Sequence, residues 1–584
     1  MTEPSRAAEA EPAYDDSRRL TGPNLFFFDC GAVLETRPDV VVDAAFEAAW
    51  RARIAQARAS LGWPGGLAVV RHHQGGAHLA LTAPIDRLLT ATSVNEWACQ
   101  RALGRAWLPE VEGAPPIAAD ADALAYLNRQ AEAERRPALV ALSGTAQAHD
   151  LPLLIDDDAV SIGSGAGAQT WPLATLPTAA DIAWDRLHAI PTALVTGSNG
   201  KTTTVRFVAA VARVAGLRAG ISSTEGVSVD GDLLDRGDYS GPAGARRILR
   251  DERVDVAVLE TARGGILRRG LALAEADAAI VTNLSADHYG EYGIDDLQGL
   301  ADAKLVVARA IGPRGLLVLN ADDAMLVERA TGLACPIGWF SVDDAHPRLA
   351  ATRGRGGATC GVRDGRMRLA WSARGIDADL GEVAAMPLTL GGHARYNVAN
   401  LLGGALVAAA LGLAPAATAA VCARFGAANA DNPGRLQRWT IGGARVIVDY
   451  AHNPDGLSGL LAAATAEPHG RLALVLGQAG NRADAEIRAL AAAAAAYRPA
   501  LVVLKDIAGM ERGRAPGEVA AVLREALLRR GLAVDAIAFE SLEAHAARRA
   551  VAWARPGDVV VLPIHGPAAR AEVAAWLDRE AAAR

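Results

Sequence analysis

The chain has 584 residues, half of them apolar and only 5% aromatic, with a net charge of −7 and an isoelectric point near 6.0. That length accommodates roughly three or four domains, and the acidic balance argues against a nucleic-acid-binding protein, which would need a basic face. The amino-terminal segment is polar and acidic, so no signal or transit peptide is expected, and no apolar run approaches the roughly 18 residues of a membrane span. Five dispersed cysteines indicate reduced thiols. Together these features predict a cytoplasmic protein that binds neither nucleic acid nor membrane.

The predicted elements begin with a tail and a mixed domain. Residues 1–20 are expected to be disordered. Residues 21–188 combine strand-like stretches such as NLFFFDCGAVLE and HLALTA with helical ones such as VNEWACQRALGRAW, which indicates an α+β domain. This domain has no recognisable catalytic spacing, so its residues predict no role for it.

The second and third domains, residues 189–430 and 431–584, alternate short apolar runs with helical segments. The runs TALVTG, DVAVLE, DAAIVTN and RGLLVLN belong to the second domain, and RVIVDY, LALVLG, ALVVLK and VVVLPIHG to the third. Strands separated by helices are typical of parallel sheets with right-handed crossovers, so both domains are predicted to be α/β. A Gly- and Arg-rich insertion near residues 349–390 is expected to form a hairpin or a small sheet.

The segment TGSNGKTTT, residues 196–204, is the strongest single signal in the sequence. It follows a predicted strand, and Gly197 and Gly200 allow backbone N–H groups to turn toward phosphate oxygens at a helix start. Lys201 would then neutralise phosphate charge, and Thr202 would bind Mg²⁺. The chain contains three lysines against 56 arginines, so a lysine here indicates a role that arginine cannot fill. The alternative is a plain strand–turn–helix connection.

Polar side chains also follow the next predicted strands, at the edge where ligands bind to α/β sheets. Glu260 follows VAVL, and His288 follows AIVTN within the segment NLSADH. With Thr202 they would complete a magnesium site, although each taken singly is equally consistent with a capping residue. Lys304 lies in a helical segment. It is either a surface lysine or a desolvated amine that reacts with CO₂ to form a metal-binding carbamate.

These motifs resemble those of the ATP-dependent Mur ligases. The similarity runs in unbroken order over about residues 190–575, through TGSNGKTTT, LETARGG, TNLSADH, LNADD, GGHARYNVANLL, NPGR and DYAHNP. Within that superfamily the chain is most similar to the carboxyl-terminal half of cyanophycin synthetases, on the segments GDYSGP, LETARGGILRRGL, VDYAHNPDGL and MERGRAPGEVA. The resemblance implies an α/β protein with three domains: an α+β amino-terminal domain, a central P-loop ATPase domain with a parallel sheet, and a carboxyl-terminal Rossmann-like domain.

The resemblance also implies a reaction and a set of site residues. ATP would phosphorylate a substrate carboxylate, and an incoming amine, such as an amino acid, would displace the phosphate to form an amide. The residues implied in catalysis are Lys201, Glu260, His288 and Lys304, and those implied at Mg²⁺ are Thr202, Glu260, His288 and Lys304. The residues implied in binding ATP are Gly197, Ser198, Asn199, Gly200, Lys201, Thr202, Thr203, Asn320, Asn397, Arg435 and Asp449. The residues implied near the acyl or amine substrate are Arg263, His452, Lys505, Arg512 and Arg514, with a surface ion pair to Asp506 as the alternative for Lys505.

One departure from the cyanophycin synthetases changes the expected activity. Those enzymes also carry an ATP-grasp domain, and residues 1–188 are too short to hold one, so a single ligation is expected rather than two alternating ones. The first hypothesis is therefore an amide ligase that resembles the arginine-adding half of those enzymes. The alternatives are a ligase acting on a folate or cell-wall precursor, and a non-catalytic nucleotide-binding subunit of a polymer-making assembly. The residues leave both substrates and any homo-oligomer undefined.

Overall fold

The computed structural model describes residues 12–109, 115–286 and 289–583. The chain forms two compact units, each built from discontinuous segments. The first unit comprises residues 1–196, 217–317 and 328–336, and the second comprises residues 197–216, 318–327 and 337–584. No helix in the described segments is both long and apolar enough to cross a membrane.

The first unit opens with an antiparallel sheet. Its strands are β1 (Tyr14–Leu20), β2 (Gly31–Thr36), β3 (Ala68–His73) and β4 (Gly76–Thr82), in the order β1-β2-β4-β3. The helices that share its core are α1 (Ala44–Leu61), α2 (Leu88–Ala102) and α3 (Asp120–Glu134). After them come α4 (Pro137–Ala148) and a small antiparallel sheet of β5 (Leu153–Ile155), β6 (Ala159–Ile162) and β7 (Gln169–Pro172). The α+β character predicted for this part of the chain is thus confirmed.

Strand β1 lies within the segment predicted to be a disordered tail, and that prediction is wrong from Tyr14 onward. The sequence YDDSRRL is highly charged, but its charges are compensated. Arg18 is almost fully buried; its Nε donates to the carbonyl oxygen of Leu267, and its Nη1 donates to Asp16. Because Leu267, the partner of Arg18, lies 249 residues away, no local pattern of hydrophobic residues indicates the strand.

A second, larger sheet is largely parallel in the part formed by the first unit. The strands of this part are β8 (Thr192–Thr196), β9 (Ala219–Ser223), β10 (Gly226–Val229), β11 (Asp232–Arg236), β12 (Val256–Glu260), β13 (Ala276–Val281) and β14 (Ile311–Asn320), in the order β11-β10-β9-β12-β8-β13-β14. Strand β8 is fully buried and pairs in parallel with β12 and β13. The helix α5 (Lys201–Val214) belongs to the second unit, and the helices of the first are α6 (Pro242–Leu249), α7 (Arg263–Arg269) and α8 (Leu297–Lys304). The predicted strand-and-helix alternation is present.

The second unit begins with helices that pack on α5. After α9 (Ala324–Arg329) and α10 (Pro347–Arg353) come α11 (Arg395–Ala410) and α12 (Pro415–Cys422), and both α11 and α12 contact α5. The strands of this part are β15 (Ile337–Ser341), β16 (Thr359–Arg363), β17 (Arg366–Trp371) and β18 (Ile376–Glu382). Strands β16, β17 and β18 form an antiparallel ladder, which confirms the hairpin predicted as one possibility near residues 349–390. Strand β16 also pairs in parallel with β15, so these strands belong to a larger sheet rather than to a small separate one.

A six-stranded sheet completes the second unit. Its strands are β19 (Gln437–Ile441), β20 (Ala444–Asp449), β21 (Leu472–Leu476), β22 (Leu501–Lys505), β23 (Ile537–Glu540) and β24 (Val559–Pro563), in the order β19-β20-β24-β21-β22-β23. Its helices are α13 (Pro454–Ala464), α14 (Asp484–Ala495), α15 (Glu518–Arg529), α16 (Glu543–Trp553) and α17 (Pro567–Ala582). Alternate strand residues pack on α13, α14 and α15 on one face and on α16 and α17 on the other. Covering on both faces explains why these strands read as continuous apolar runs.

Asp558 joins the turn before β24 to the start of β21. Its carboxylate accepts hydrogen bonds from the backbone N–H of Arg471 (2.7 Å) and of Arg555 (2.9 Å), and from the Arg471 guanidinium (2.6 Å). Burial by itself raises the pKa of Asp558, but these donors, the Arg471 guanidinium foremost, outweigh it and lower the pKa to about 2. The ionised carboxylate therefore stabilises the folded sheet.

We expect Asp558→Asn to lower the free energy of unfolding by about 1–2 kcal/mol at neutral pH. Because the folded-state pKa lies below the ordinary value of 3.8, this stabilisation is complete above about pH 4 and is lost as the pH falls toward 2. Hydrogen-exchange protection of the β21 amides, compared between the variant and the wild type, measures the difference. A difference as large near pH 3 as near pH 6 would contradict this account of Asp558.

Candidate active site

The loop between β8 and α5 has the backbone shape predicted for a phosphate cradle. Gly197 and Gly200 have φ values of +142° and +88°, a region that favours glycine. A Cβ at residue 200 would lie 2.1 Å from Oδ1 of Asn400, so only glycine fits against that side chain. Lys201 is the first residue of α5, and its Nζ donates to the carbonyl oxygens of Gly197 and Ser198, both at 3.1 Å. The ammonium group thus already lies over the loop.

Asn400, which the sequence interpretation missed, supports this loop from α11. Its Nδ2 donates to Oδ1 of Asn397 at 3.1 Å, and Nδ2 of Asn397 donates to the carbonyl oxygen of Leu388 at 3.2 Å. Both amides are buried. The predicted nucleotide residue Asn397 therefore orients Asn400, and Asn400 is the one that contacts the loop. The available signal was a second asparagine, three residues after Asn397, in an otherwise apolar helix.

The motif DYAHNP contacts the phosphate loop through a pair of amides. Nδ2 of Asn453 donates to Oδ1 of Asn199 at 3.0 Å, and Nδ2 of Asn199 lies 3.4 Å from Oδ1 of Asn453. Asn453 is also the N-cap of α13, where its Oδ1 accepts the N–H of Gly456. The cap fixes the Asn453 side chain, and the Asn453 side chain in turn holds the loop residue Asn199.

The motif NPGR lies along the first turns of α5. Nδ2 of Asn432 donates to Oγ1 of Thr203 at 3.2 Å, and Nη1 of Arg206 donates to Oδ1 of Asn432 at 3.1 Å. Nη2 of Arg435 lies 3.5 Å from Oγ1 of Thr202. The structure therefore brings Arg435, predicted from the sequence to bind nucleotide, next to the residue that follows Lys201.

Asp449 determines the backbone that carries Arg435. Its Oδ2 accepts the N–H of Leu436 and its Oδ1 the N–H of Ala451, both at 2.8 Å. Leu436 has a φ of +52°, an unfavourable conformation for a branched residue, and the bond from Asp449 compensates for it. Burial raises the pKa of Asp449, although Arg435 and the backbone donors oppose the shift. In this arrangement Asp449 positions Arg435, and its own contact with nucleotide stays a prediction.

Lys505 lies inside the six-stranded domain and is fully buried. Its Nζ contacts Oε1 of Glu543 and lies 3.0 Å from Nδ1 of His565. Burial holds the pKa of His565 well below its ordinary value, and the Lys505 charge lowers it further. The neutral ring therefore donates from Nε2 to the carbonyl oxygen of Ala451, at 3.1 Å, and accepts from Lys505 at Nδ1.

The alternative of a surface ion pair between Lys505 and Asp506 is wrong. Oδ2 of Asp506 accepts the N–H of Gly517 instead, and the partner of Lys505 is Glu543, which also accepts the backbone N–H groups of His565 and Gly566. Contact between Lys505 and a substrate stays a prediction. It requires the side chain to leave this buried pair.

Tyr450 connects the Lys505 cluster with Arg435. The Arg435 guanidinium stacks 4.1 Å from the centre of the Tyr450 ring, and that of Arg570 lies 4.8 Å from it. The ring also meets His565 edge-on at 5.3 Å and His452 at 5.4 Å. Cation–π contacts of this kind contribute about 0.5–2 kcal/mol, so Tyr450 fixes the direction of Arg435.

The remaining predicted substrate residues differ in accessibility. Arg514 bonds to the carbonyl oxygens of Gly480 and Arg482 and to Asp484, which makes it a clamp between loops. Arg512 is exposed, and His452 is half-buried beside Tyr450. Arg512 and His452 are therefore better placed to meet a ligand than Arg514 is.

The predicted residues of the first unit lie at strand and helix ends. Glu260 ends β12 and is 1% exposed, and Lys304 ends α8 and is 5% exposed. Arg263 begins α7 and pairs with Glu291. His288 lies outside the described residues, so its role as a magnesium ligand stays a prediction, together with those of Glu260 and Lys304.

Asn320 ends β14 and is buried. Its Oδ1 accepts the N–H of Asp322 at 3.0 Å, so the side chain shapes the turn that follows the strand. Its contact with nucleotide likewise stays a prediction.

Comparison with known proteins places two family models and several relatives on this chain. The Mur ligase middle domain matches residues 195–408, and the Mur ligase, glutamate ligase domain matches residues 434–563. A cyanophycin synthetase from Synechocystis sp. is 35% identical over 379 residues, which are 64% of this chain and 42% of that enzyme. The chain thus spans about two fifths of the length of this relative.

A UDP-N-acetylmuramoyl-L-alanyl-D-glutamate--2,6-diaminopimelate ligase from Xanthomonas campestris pv. campestris is 30% identical over 405 residues, covering 67% of this chain and 76% of the ligase. Among solved structures, Mycobacterium tuberculosis folylpolyglutamate synthase complexed with ADP aligns with a TM-score of 0.49 at 18% identity. That alignment covers 66% of this chain and 90% of the other.

Proposed function

Because this chain belongs to the Mur ligase family, we propose that it is an ATP-dependent ligase that joins a carboxylate to the amino group of an amino acid. The observation that carries the proposal is the convergence of two distant motifs on the start of α5. Arg435 reaches Thr202, and Asn453 pairs with Asn199. A glycine-rich loop at a helix start, flanked by a lysine and an arginine, is suited to binding a polyphosphate.

The loop residues fit a nucleoside triphosphate. The backbone at Gly200 forms the wall of the cradle because no side chain fits there. On nucleotide binding, Lys201 would exchange its two carbonyl partners for phosphate oxygens. Arg435, stacked on Tyr450, supplies a second positive charge beside the same turn. The two cations would stabilise charge that develops on the phosphoryl group during its transfer.

The available donors also fit Mg²⁺, which prefers hard oxygen ligands. The Thr202 hydroxyl and the Glu260 carboxylate are of this kind, and both side chains are nearly inaccessible to solvent. With His288 and Lys304 they are the residues that we propose as magnesium ligands. When bound, the ion supplies charge neutralisation at the phosphate oxygens.

The proposed reaction has two steps. An oxygen of the substrate carboxylate attacks the γ-phosphorus of ATP, ADP leaves, and an acyl phosphate forms. The nitrogen of the amine then attacks the carbonyl carbon, the C–N bond forms, the bond from that carbon to the phosphate oxygen breaks, and phosphate and a proton are released. The first step is needed because the oxygen of a free carboxylate is a poor leaving group.

For the substrates, we propose an aspartate-containing peptide as the carboxylate and arginine as the amine. The support is the similarity to cyanophycin synthetase over 64% of this chain. His452 and Arg512 are the accessible side chains of the predicted substrate set, and Lys505 and Arg514 act as positioning residues. Arg263, held by Glu291 in the first unit, would meet substrate only if that ion pair exchanges.

The decisive experiment measures phosphate release with ATP and Mg²⁺ over a panel of substrate pairs, with mass spectrometry of the products. The panel combines β-aspartyl peptides, a pteroate and a UDP-muramoyl peptide with single amino acids, and a Lys201 variant reports background hydrolysis. Arginine-dependent turnover of an aspartyl peptide supports the proposal. Turnover confined to another carboxylate corrects the substrate, and nucleotide binding without amide formation for any pair rejects the ligase.

Lys304 provides a separate test of the proposed chemistry. A buried amine that loses its proton reacts with CO₂ to give a carbamate, which is an anionic metal ligand. We expect turnover to fall when CO₂ is removed and to recover with bicarbonate. We also expect Lys304→Ala to be inactive and to be partly rescued by a small carboxylate. Turnover that is indifferent to CO₂ would leave Lys304 as an uncarbamylated buried lysine.

A further inference from the structure

The amino-terminal sheet contains a cluster of two histidines and a carboxylate that the ligase reaction does not use. Glu35 on β2 lies directly opposite His78 on β4, and His73 ends the neighbouring strand β3. Oε2 of Glu35 is 3.8 Å from Nε2 of His78, and Oε1 is 4.0 Å from Nε2 of His73. The two imidazole rings are 4.7 Å apart between centres. The three side chains thus point at one common position.

The two imidazole side chains are buried, and at 3.8 and 4.0 Å their Nε2 atoms are too far from the Glu35 carboxylate for hydrogen bonds. The side chain of His78 is completely buried and that of His73 is 2% exposed. Within the described part of the chain, Nε2 of His73 and both ring nitrogens of His78 have no hydrogen-bond partner. Leaving a buried polar group unsatisfied costs about 1–3 kcal/mol, and such groups are rare in native structures. Two of these nitrogens, the Nε2 atoms of His73 and His78, lie beside the Glu35 carboxylate, an arrangement that is suited to a shared ligand.

We propose that Glu35, His73 and His78 bind a divalent first-row transition ion of the Zn²⁺ type. Imidazole nitrogen and carboxylate oxygen are ligands of such ions. One potential ligand atom from each residue lies within 4.8 Å of the others. A tetrahedral ion with bonds of about 2.0–2.1 Å needs its ligands roughly 3.4 Å apart, so modest side-chain movements close the site. A water molecule would take the fourth position.

The charge of the surroundings favours a cation bound by neutral imidazoles. Burial lowers the pKa of both His73 and His78, which favours the neutral ring that a metal ligand must have. Two arginines lie near the cluster. Nη1 of Arg18 is 3.8 Å from Glu35 but 2.5 Å from Asp16, which compensates its charge, and Arg71, whose charge acts on His73, donates to the carbonyl oxygen of Gly293. Asp295, near His73, adds a negative charge.

The loop that contains Glu291 covers the cluster. Gly293 has a φ of +58°, and a Cβ there would come within 2.5 Å of Cδ2 of His73 and 2.6 Å of Cε1 of His78. Arg71 donates to the carbonyl oxygen of Gly293 at 2.9 Å. An ion that fixes both rings therefore also fixes the surface on which this loop packs, and we assign it a structural role there.

The experiment measures binding of Zn²⁺ to the full chain without nucleotide, in excess Mg²⁺ to saturate oxygen-only sites, by competition with a chromophoric chelator. We expect a single ion per chain, and at least about 100-fold weaker binding in His78→Gln. The matched control is His72→Gln, since His72 is adjacent in sequence but 57% exposed and paired with Glu47. The control should bind Zn²⁺ within about twofold of the wild type.

Two further measurements guard against a variant that merely misfolds. Glu35→Gln keeps the shape of the side chain, and it should weaken Zn²⁺ binding while its far-ultraviolet circular dichroism matches the wild type. Co²⁺ bound to the wild type should give visible absorption bands that His78→Gln lacks and His72→Gln retains. Equal Zn²⁺ affinity in wild type, His78→Gln and Glu35→Gln, or no ion bound to the wild type, would overturn the proposal. Neither readout depends on ligase activity.

Discussion

Replacement of Lys201 by arginine is expected to lower ATP-dependent turnover by at least about 100- to 1,000-fold, the loss typical of removing a group that stabilises transition-state charge. Lys201 is held on the carbonyl oxygens of Gly197 and Ser198, within a loop that a single added Cβ at Gly200 would disrupt. A planar guanidinium is bulkier and donates in a fixed fork. It therefore cannot replace an ammonium group in this space.

The matched control for Lys201→Arg is a variant in the same helix, α5, that does not alter the loop. Arg213 is exposed in the last turn of α5, and Arg213→Lys should keep wild-type turnover. Both variants should unfold at the wild-type temperature, because the hydrogen bonds of the Lys201 ammonium group to the described residues go to backbone oxygens within its own loop. Turnover of Lys201→Arg close to that of Arg213→Lys would reject the loop as the phosphate site.

Replacement of Lys505 by methionine is expected to destabilise the six-stranded domain by about 3–5 kcal/mol, because it leaves a charged carboxylate buried without its partner. Among the described residues, Glu543 would keep the N–H groups of His565 and Gly566 as its hydrogen-bond donors. Urea unfolding, followed by hydrogen exchange of the β22 and β24 amides, measures the loss. The change should also weaken the ATP-dependent reaction, since His565 packs on Tyr450, which supports Arg435.

Two further variants separate the buried pair from a general effect of removing charge. Arg529 pairs with Glu525 on the exposed surface of α15, and Arg529→Ala should cost no more than about 0.5 kcal/mol. The double variant Lys505→Met/Glu543→Gln removes both charges and should recover part of the stability. The contrary result is that Lys505→Met lowers the free energy of unfolding by no more than Arg529→Ala does and raises only KM for the carboxylate substrate. That result would indicate that Lys505 contacts substrate, as the resemblance to the Mur ligases implies.

The phosphate loop was predictable because all its determinants are local. Two glycines and a lysine at fixed spacing, between a buried strand and a helix, specify both the turn and its charge. The contacts between motifs were not predictable in the same way. Asn199 and Asn453 are 254 positions apart, and neither residue alone indicates the other. The resemblance to the Mur ligases identified both segments, but it did not predict the hydrogen bond between Asn199 and Asn453.

The predictions that the structure contradicts share one physical cause. Whether a charged side chain is buried or exposed depends on partners that are distant in the sequence. From the sequence alone, the residues of β1 resemble a charged tail. In the fold they form a strand in which Arg18 donates a hydrogen bond to the carbonyl oxygen of Leu267. For Lys505, the alternative of a surface ion pair with Asp506 is wrong because Glu543, 38 positions later, pairs with it inside the domain. The cluster that contains the histidines of β3 and β4 was not predicted. The alternation of residues along a strand indicates which face of the sheet a side chain occupies, but not which side chains it contacts there.

The burial of two of the three lysines has a practical consequence for chemical labelling. Lys505 is fully buried and Lys304 is 5% exposed, whereas Lys201 is only partly buried. Reagents that acylate primary amines and spare arginine should therefore modify one lysine preferentially, and that lysine lies in the phosphate loop. The rate of its acylation would report directly on occupancy of the loop. Slower acylation at increasing ATP concentrations would give a nucleotide affinity without any engineered probe.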